Sequence, residues 1–272
     1  MRRFDFFQLP HRLAMGWLFL ALPAAVSVTA APVRAASEVE VEGAHMRLDV
    51  VEGNGRVQAA LSIDLKPGWK TYWISPGPVG LAPAIQLDNS AGVEDARILL
   101  PVPTRFREGD IESIGYAEPV SFVVLGEAKP GETSILRADI TIGLCRELCL
   151  PVHVELEAKP STSLNARAAV RRALAALPQD VQSDDIEASM RQGRLHVASA
   201  SREGPPPTDA FVAAPEGWGF GVPVAGSDAH GFSLDIPILS TPGTDAELTK
   251  IDLVLTDGEK AELIRALPVG RN

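Results

Sequence analysis

The chain of 272 residues lacks most of the parts from which common active sites are built. It holds only two cysteines and five histidines, and His11, His45, His196 and His230 fall in no recognisable ligand spacing. There is no Gly-rich phosphate loop and no G-x-S-x-G elbow, so phosphate cradling and serine-hydrolase chemistry have no motif to rest on. Basic residues are outnumbered by acidic ones, 25 to 35, for a formal net charge of −10. That balance argues against a nucleic-acid surface, which needs Lys and Arg to displace the counterions around phosphates. The carboxylates show no paired context of the kind glycosidases use. After Ala36 no apolar run approaches the roughly 20 residues that a spanning helix requires.

What is present starts at the N-terminus. Arg2, Arg3 and Arg12 precede an apolar stretch, Leu13 to Leu22, which continues through Val26; Val33-Arg34-Ala35 then fits a cleavage site before Ala36. This order is that of a secretory signal peptide, so residues 1–35 are set apart from the fold. Pro23 interrupts the run and argues against an uncleaved anchor; the remainder is expected to be periplasmic and soluble. Without residues 1–35 there are 21 basic and 34 acidic residues, a formal charge of −13. The 237 residues that follow suffice for one large or two ordinary domains.

Prolines and glycines scattered between short apolar runs suit a β-rich chain with many turns. In Arg56 to Leu65, the residues Val57, Ala59, Leu61, Ile63 and Leu65 alternate onto one face. Lys66-Pro67-Gly68 reads as a turn, Trp69 to Trp73 as a strand and Ser75 to Pro78 as a rigid loop. Trp69 and Trp73 share one face of that strand, with Tyr72 on the other. Core packing is their simplest role, and a wall behind the cysteine loop is the alternative. Ile98 to Leu100 and Val120 to Leu125 are further strands, and strands broken by turns about every ten residues indicate a β-sandwich over residues 36–160. After a break at Ala158 to Ser163, the Ala/Leu/Arg-rich stretch Asn165 to Leu177 predicts a helix capped by Ser163 and ended by Pro178. Alternation returns in Arg194 to Ala198, Phe232 to Ile236 and Ile251 to Leu255. Residues 161–272 are therefore expected to form the helix and a second, smaller β-domain, and the whole chain to be mainly all-β.

The cysteines stand in Cys145-Arg146-Glu147-Leu148-Cys149. Before them Leu136, Ala138, Ile140 and Ile142 alternate with Arg137, Asp139 and Thr141. After them Leu150, Val152, Val154 and Leu156 alternate with Pro151, His153, Glu155 and Glu157. Both segments have the period of half-buried strands, which puts the pair at or beside a hairpin end, with Pro151 favouring an edge. In an exported chain two cysteines meet as a disulfide. As a staple it is poorly placed, because closing a five-residue loop removes only about 2 kcal/mol of unfolded-state entropy. As a reactive pair it is well placed. A short loop constrains the sulfurs, a hairpin tip is open to an attacking sulfur, and Arg146 favours a thiolate while Glu147 offsets it. A third reading takes Cys145, Cys149 and His153, evenly spaced by four, as soft-metal ligands. The period of two, and Pro151, oppose the helix that would align them. Residue mechanics alone leave exchange and a structural bridge both open.

The pieces Gly68-Trp-Lys-Thr-Tyr-Trp-Ile-Ser-Pro-Gly77, Gly80-Leu-Ala-Pro83, Pro103-Thr-Arg-Phe106, Gly115-Tyr116 and Cys145-Arg-Glu-Leu-Cys-Leu-Pro151 follow one another in a distinctive order and spacing. In this the region from about Lys66 to Leu156 resembles the N-terminal periplasmic domain of the thiol:disulfide interchange protein DsbD, especially its ScsB-like branch. The resemblance implies an immunoglobulin-like sandwich whose cysteine pair shuttles between dithiol and disulfide without a cofactor or a metal. It implies Cys149 as the thiol that exchanges with partners and Cys145 as the resolving thiol. A cap loop would correspond to Arg105 to Glu112, with Phe106 as a shield and Asp110 or Glu112 near enough to modulate proton transfer. Tyr116, Trp69 and Trp73 are further candidates for cap or support.

Full-length members of the family continue into a membrane domain and a thioredoxin-like domain, whereas this sequence stops at Asn272. The expected partners are therefore a membrane-embedded thiol reductase on a separate chain and periplasmic thioredoxin-like or disulfide isomerase proteins. The alternative is a non-enzymatic sandwich module for partner binding or copper tolerance, with a structural disulfide.

Overall fold

A computed structural model describes residues 36–272 except 109–110, 183–184, 202–205, 229–230, 245 and 272. The signal peptide assigned to residues 1–35 lies outside the described residues, as do Asp110 and His230. The alternating segments of the first half become β1 (Glu38–Val41), β2 (Ala44–Gly53), β3 (Arg56–Leu65), β4 (Thr71–Tyr72), β5 (Ala84–Gln86) and β6 (Val93–Leu99). They continue as β7 (Thr104–Glu108), β8 (Ile111–Tyr116), β9 (Val120–Ala128), β10 (Leu136–Cys145) and β11 (Cys149–Ala158).

One sheet has the order β1-β2-β3-β9-β6 and a second the order β11-β10-β5. Their inner faces carry the period-two residues. Met46, Leu48, Leu61, Ile63 and Phe122 from the first sheet share a core with Leu136, Ile140, Ile142, Leu144 and Leu156 from the second. This is the sandwich that the pattern predicts, of the immunoglobulin-like kind that the resemblance implies. A third small sheet, β4-β8-β7, closes one end.

The strand expected over Trp69 to Trp73 is shorter than the pattern suggests, because the segment changes partners along its length. Lys70 exchanges both backbone hydrogen bonds with Cys145 at 2.9 Å, whereas Thr71 and Tyr72 pair with Tyr116 and Gly115 of β8. This switch stitches the end sheet to the cysteine hairpin.

Helix α1 (Leu164–Ala175) starts where expected, with the Ser163 hydroxyl accepting a hydrogen bond from the Ala166 amide at 3.1 Å. Its small buried residues Ala169, Val170 and Ala173 pack on Ala60 and Val123, the outer face of the first sheet. The chain then forms β12 (Gln179–Val181), β13 (Ile186–Arg191), β14 (Arg194–Ser199), β15 (Asp209–Ala213) and β16 (Gly219–Phe220). It ends with β17 (Val224–Asp228), β18 (Gly231–Ser240), β19 (Lys250–Thr256) and β20 (Ala261–Arg271). These strands build one sheet around a core of their own that includes Leu195, Val197, Leu234, Ile236 and Leu253. Phe211 of β15 and Val254 of β19 are buried in the first core instead, so the two halves share an apolar junction. Among the described residues no helix is long and apolar enough to cross a membrane.

Candidate functional site

The hairpin of β10 and β11 runs through ten register pairs, from Leu136 opposite Ala158 to Cys145 opposite Cys149. The cysteines are its closing pair, joined as a disulfide with their Cα atoms 4.1 Å apart, and Arg146 to Leu148 form the turn. β11 is the outer strand of its sheet, which accommodates Pro151. The sulfurs lie in unequal surroundings. Cys145 is 1% exposed, held beneath the end sheet, whereas Cys149 is exposed and sits next to Leu148, which is 78% exposed.

The strand pattern explains the asymmetry. Odd-numbered residues of β10 face away from the sandwich core, and Arg137, Asp139 and Thr141 are accordingly only partly buried. At Gly143 and Cys145 the same face is covered. A side chain at Gly143 would place its Cβ 2.9 Å from that of Leu81 and 3.1 Å from the ring of Tyr72, so glycine is what lets that ring approach the strand. The ring's other neighbours include Gly80, whose Cβ would come within 2.8 Å of it.

Seated in this slot, Tyr72 is fully buried, and its hydroxyl lies 3.0 Å from Cys149 Sγ and 3.1 Å from Cys145 Sγ. Disulfide sulfurs carry no hydrogen, so the hydroxyl is the donor. On reduction the same donor meets a thiol or thiolate, and a charge-assisted hydrogen bond favours the thiolate. Tyr72 is the functional residue that reading the sequence misses. The alternation set it opposite Trp69 and Trp73, but nothing local says that this second face points at the cysteines.

Phe106 of β7 lies one ring further out, its centroid 6.0 Å from that of Tyr72, and Lys70 Nζ stands 4.8 Å above the Phe106 ring. Trp69 is core, with its ring against Gly43. Trp73 is also core and meets Phe211 edge-on at 6.2 Å. Tyr116 packs beside Phe122 at 5.7 Å and donates its hydroxyl to the Pro101 carbonyl at 2.8 Å. Burial holds its phenol well above the usual tyrosine range. Glu112 is bound to Arg105 at 2.9 Å. The structure thus gathers Cys145, Cys149, Tyr72 and Phe106, with Trp73 adjoining Tyr72 in the chain, and leaves Trp69 and Tyr116 in the core.

His153 lies further down the hairpin, with Nδ1 3.5 Å from Asp139 Oδ1 and 3.3 Å from Thr141 Oγ1. With Glu155 it completes three potential metal ligands within 4.8 Å of one another, a set that contains neither sulfur. The even spacing of Cys145, Cys149 and His153 therefore does not become a shared ligand set.

Fold and site together define a class: an immunoglobulin-like sandwich with a half-shielded disulfide at a hairpin tip. Residues 36–161 match the family model described as "Thiol:disulfide interchange protein DsbD, N-terminal" and belong to that domain family. No curated protein sequence matches the chain. Among solved structures, the N-terminal periplasmic domain of ScsB from Proteus mirabilis is similar in fold, with a TM-score of 0.68 at 22% identity. The alignment covers 86% of this chain and 98% of that one, so the likeness extends beyond the cysteine-bearing sandwich into the second half.

Proposed function

We propose that Cys145 and Cys149 interconvert between disulfide and dithiol in the periplasm, relaying reducing equivalents to or from partner oxidoreductases. One observation carries this reading: the sulfurs of Cys149, an exposed residue, and of Cys145, a buried one, share one hydroxyl donor, Tyr72. An attacking thiol must be reachable, and a resolving thiol needs only to reach its neighbour.

In the forward direction the Cys149 thiolate attacks a partner disulfide. A bond forms between Cys149 and one partner sulfur, and the other partner sulfur leaves as a thiolate. Cys145, as its thiolate, then attacks Cys149 Sγ and releases the first partner sulfur. Two electrons pass to the partner, and the pair closes to the disulfide. Resetting requires a dithiol donor, for which a membrane-embedded thiol reductase is the natural class; thioredoxin-like or disulfide isomerase proteins are the acceptors. Membership of residues 36–161 in the interchange family supports the chemistry, and the fold likeness to a periplasmic domain supports the compartment. In this reading residues 36–160 hold the exchange site and residues 161–272 form a second unit.

The test is to trap partners with Cys145→Ala in cells and to measure the potential of the wild-type pair against glutathione. Mixed disulfides through Cys149 are expected. A potential below about −300 mV, with no trapped partner, marks a structural bridge and sinks the proposal.

A further inference from the structure

We infer that the second half of the chain sets the reactivity of the cysteine pair, acting through Arg105 as a positioning residue anchored by Asp209. This rests on the exchange reading above and adds to it a role for residues that the cysteine-bearing sandwich does not contain.

The end sheet has two faces with different duties. Tyr72, Gly115 and Thr104 are in register across β4, β8 and β7, and Phe106 follows on the same face. That face holds Tyr72 against the sulfurs. Arg105 and Ile114 are in register on the reverse, and the Trp73 amide bonds the Ile114 carbonyl at 3.0 Å. The reverse face is where β15 arrives from the second half.

Each guanidinium nitrogen of Arg105 is engaged there. Nε bonds the two carboxylate oxygens of Asp209 at 3.0 and 3.1 Å, one terminal nitrogen bonds the Ala210 carbonyl at 2.8 Å, and the other bonds Glu112 at 2.9 Å. The guanidinium also stands 5.0 Å over the ring of Phe211, which meets Trp73 in a T-shaped pair. The Arg105 side chain is 12% exposed, so these bonds are poorly screened. Three consecutive residues of β15 therefore grip the sheet at two points, Arg105 beside Phe106 and Trp73 beside Tyr72. Arg105 neighbours Phe106, whose ring packs on that of Tyr72, and Trp73 neighbours Tyr72, whose hydroxyl meets both sulfurs. Releasing the grip frees the sheet to shift and takes the Tyr72 hydroxyl off Cys149.

The alternative is a packing tie with no effect at the sulfurs, and the sign of one measurement separates the two. In a reduced Cys145→Ala background, Cys149 is alkylated with iodoacetamide across pH and the midpoint of its reactivity is read. The charged groups on the elements around it, Lys70, Arg146 and Glu147, are left unchanged throughout. Removing the Asp209 carboxylate by D209A acts through space only to favour a thiolate and lower the midpoint. Loss of the Tyr72 donor acts the other way. The expected result is an upward shift of about one pH unit in D209A, bounded above by that of Y72F. D209E should restore the wild-type profile, and R105K, which keeps the charge but loses the planar fork, should shift upward as D209A does. R265A breaks a different ion pair of the second half, with Asp180 at 2.6 Å, and should leave the midpoint in place. An unchanged or lowered midpoint in both D209A and R105K, with the proteins folded by circular dichroism, overturns the inference. Should one variant fail to fold, the other decides. The exchange reading fails separately, on the potential of the wild-type pair, which these variants do not enter.

Discussion

Replacing Tyr72 with Phe takes one oxygen from the site and leaves the ring in its slot between Gly143 and Gly80. In the oxidised protein the cost is small, because a disulfide sulfur is a weak acceptor; about 1 kcal/mol or less is expected. In the reduced protein the lost bond is to a thiolate, and hydrogen bonds to charged groups contribute about 1.5–3 kcal/mol. The pH midpoint for alkylation of Cys149 should therefore rise by about one to two units. The reduced form loses more than the oxidised form, so reduction becomes less favourable and the potential moves to more negative values. For a two-electron couple that difference, about 0.5–3 kcal/mol, amounts to about 10–65 mV at a pH where Cys149 is ionised in the wild type. Equilibration with glutathione buffers, quenched by acid and counted by alkylation, reads the potential directly. A Y72F protein with an unchanged midpoint and an unchanged potential refutes the claim that this hydroxyl, 3.0 Å and 3.1 Å from the two sulfurs, governs their chemistry.

Leu148→Ser, at the exposed tip, should change stability by no more than about 0.5 kcal/mol and leave reduction by dithiothreitol unaltered, while slowing exchange with a protein partner. Equal slowing with both reductants would show that Leu148 acts on the sulfurs rather than on docking. Ser163→Ala removes the cap of α1 and should lower stability by about 1 kcal/mol in a urea titration, with no effect on the cysteines. Tyr116 predicts an alkaline limit. Its raised phenol keeps a proton that the unfolded chain gives up, so its contribution is complete below about pH 10 and is lost as pH rises above that. In Y72F, where Tyr116 is the remaining tyrosine, tyrosinate absorbance should appear together with the loss of near-ultraviolet dichroism; tyrosinate in the folded protein contradicts this. The double variant C145S/C149S should stay folded, with a loss of about 2 kcal/mol in the same titration.

Much of the fold could be read because its signals are local. Period two in Leu136 to Ile142 and Leu150 to Leu156 suffices to place a hairpin and its tip, since a one-residue slip would turn the core face outward. Ser163 and Pro178 bracket α1 because capping and helix breaking are chemistry of the residues themselves. The rest depends on pairing between distant segments. The run Trp69 to Trp73 looks uniform, yet Lys70 takes Cys145 as its partner and Tyr72 takes Gly115, and that division puts Tyr72 at the sulfurs. Gly143 and Gly80 make room for the ring, but a glycine inside a strand says only that something approaches closely, not what. Arg105 and Asp209 are 104 residues apart, and neither carries a local mark of the other.

The disulfide adds little that the hairpin does not already have. Ten register pairs align β10 with β11, and Lys70 holds Cys145 through both its amide and its carbonyl. The loop that the sulfurs close is already a turn. Cross-linking residues only four apart removes few conformations from the unfolded chain, which is why its contribution falls at the low end for disulfides. The same ladder keeps the two thiols adjacent once the bond is broken, so the resolving step needs no search. In the proposed exchange, a hairpin aligned by this ladder can make and break the S–S bond at every turnover. The buried hydroxyl of Tyr72, in reach of both sulfurs, is then free to favour the thiolate rather than to hold the fold.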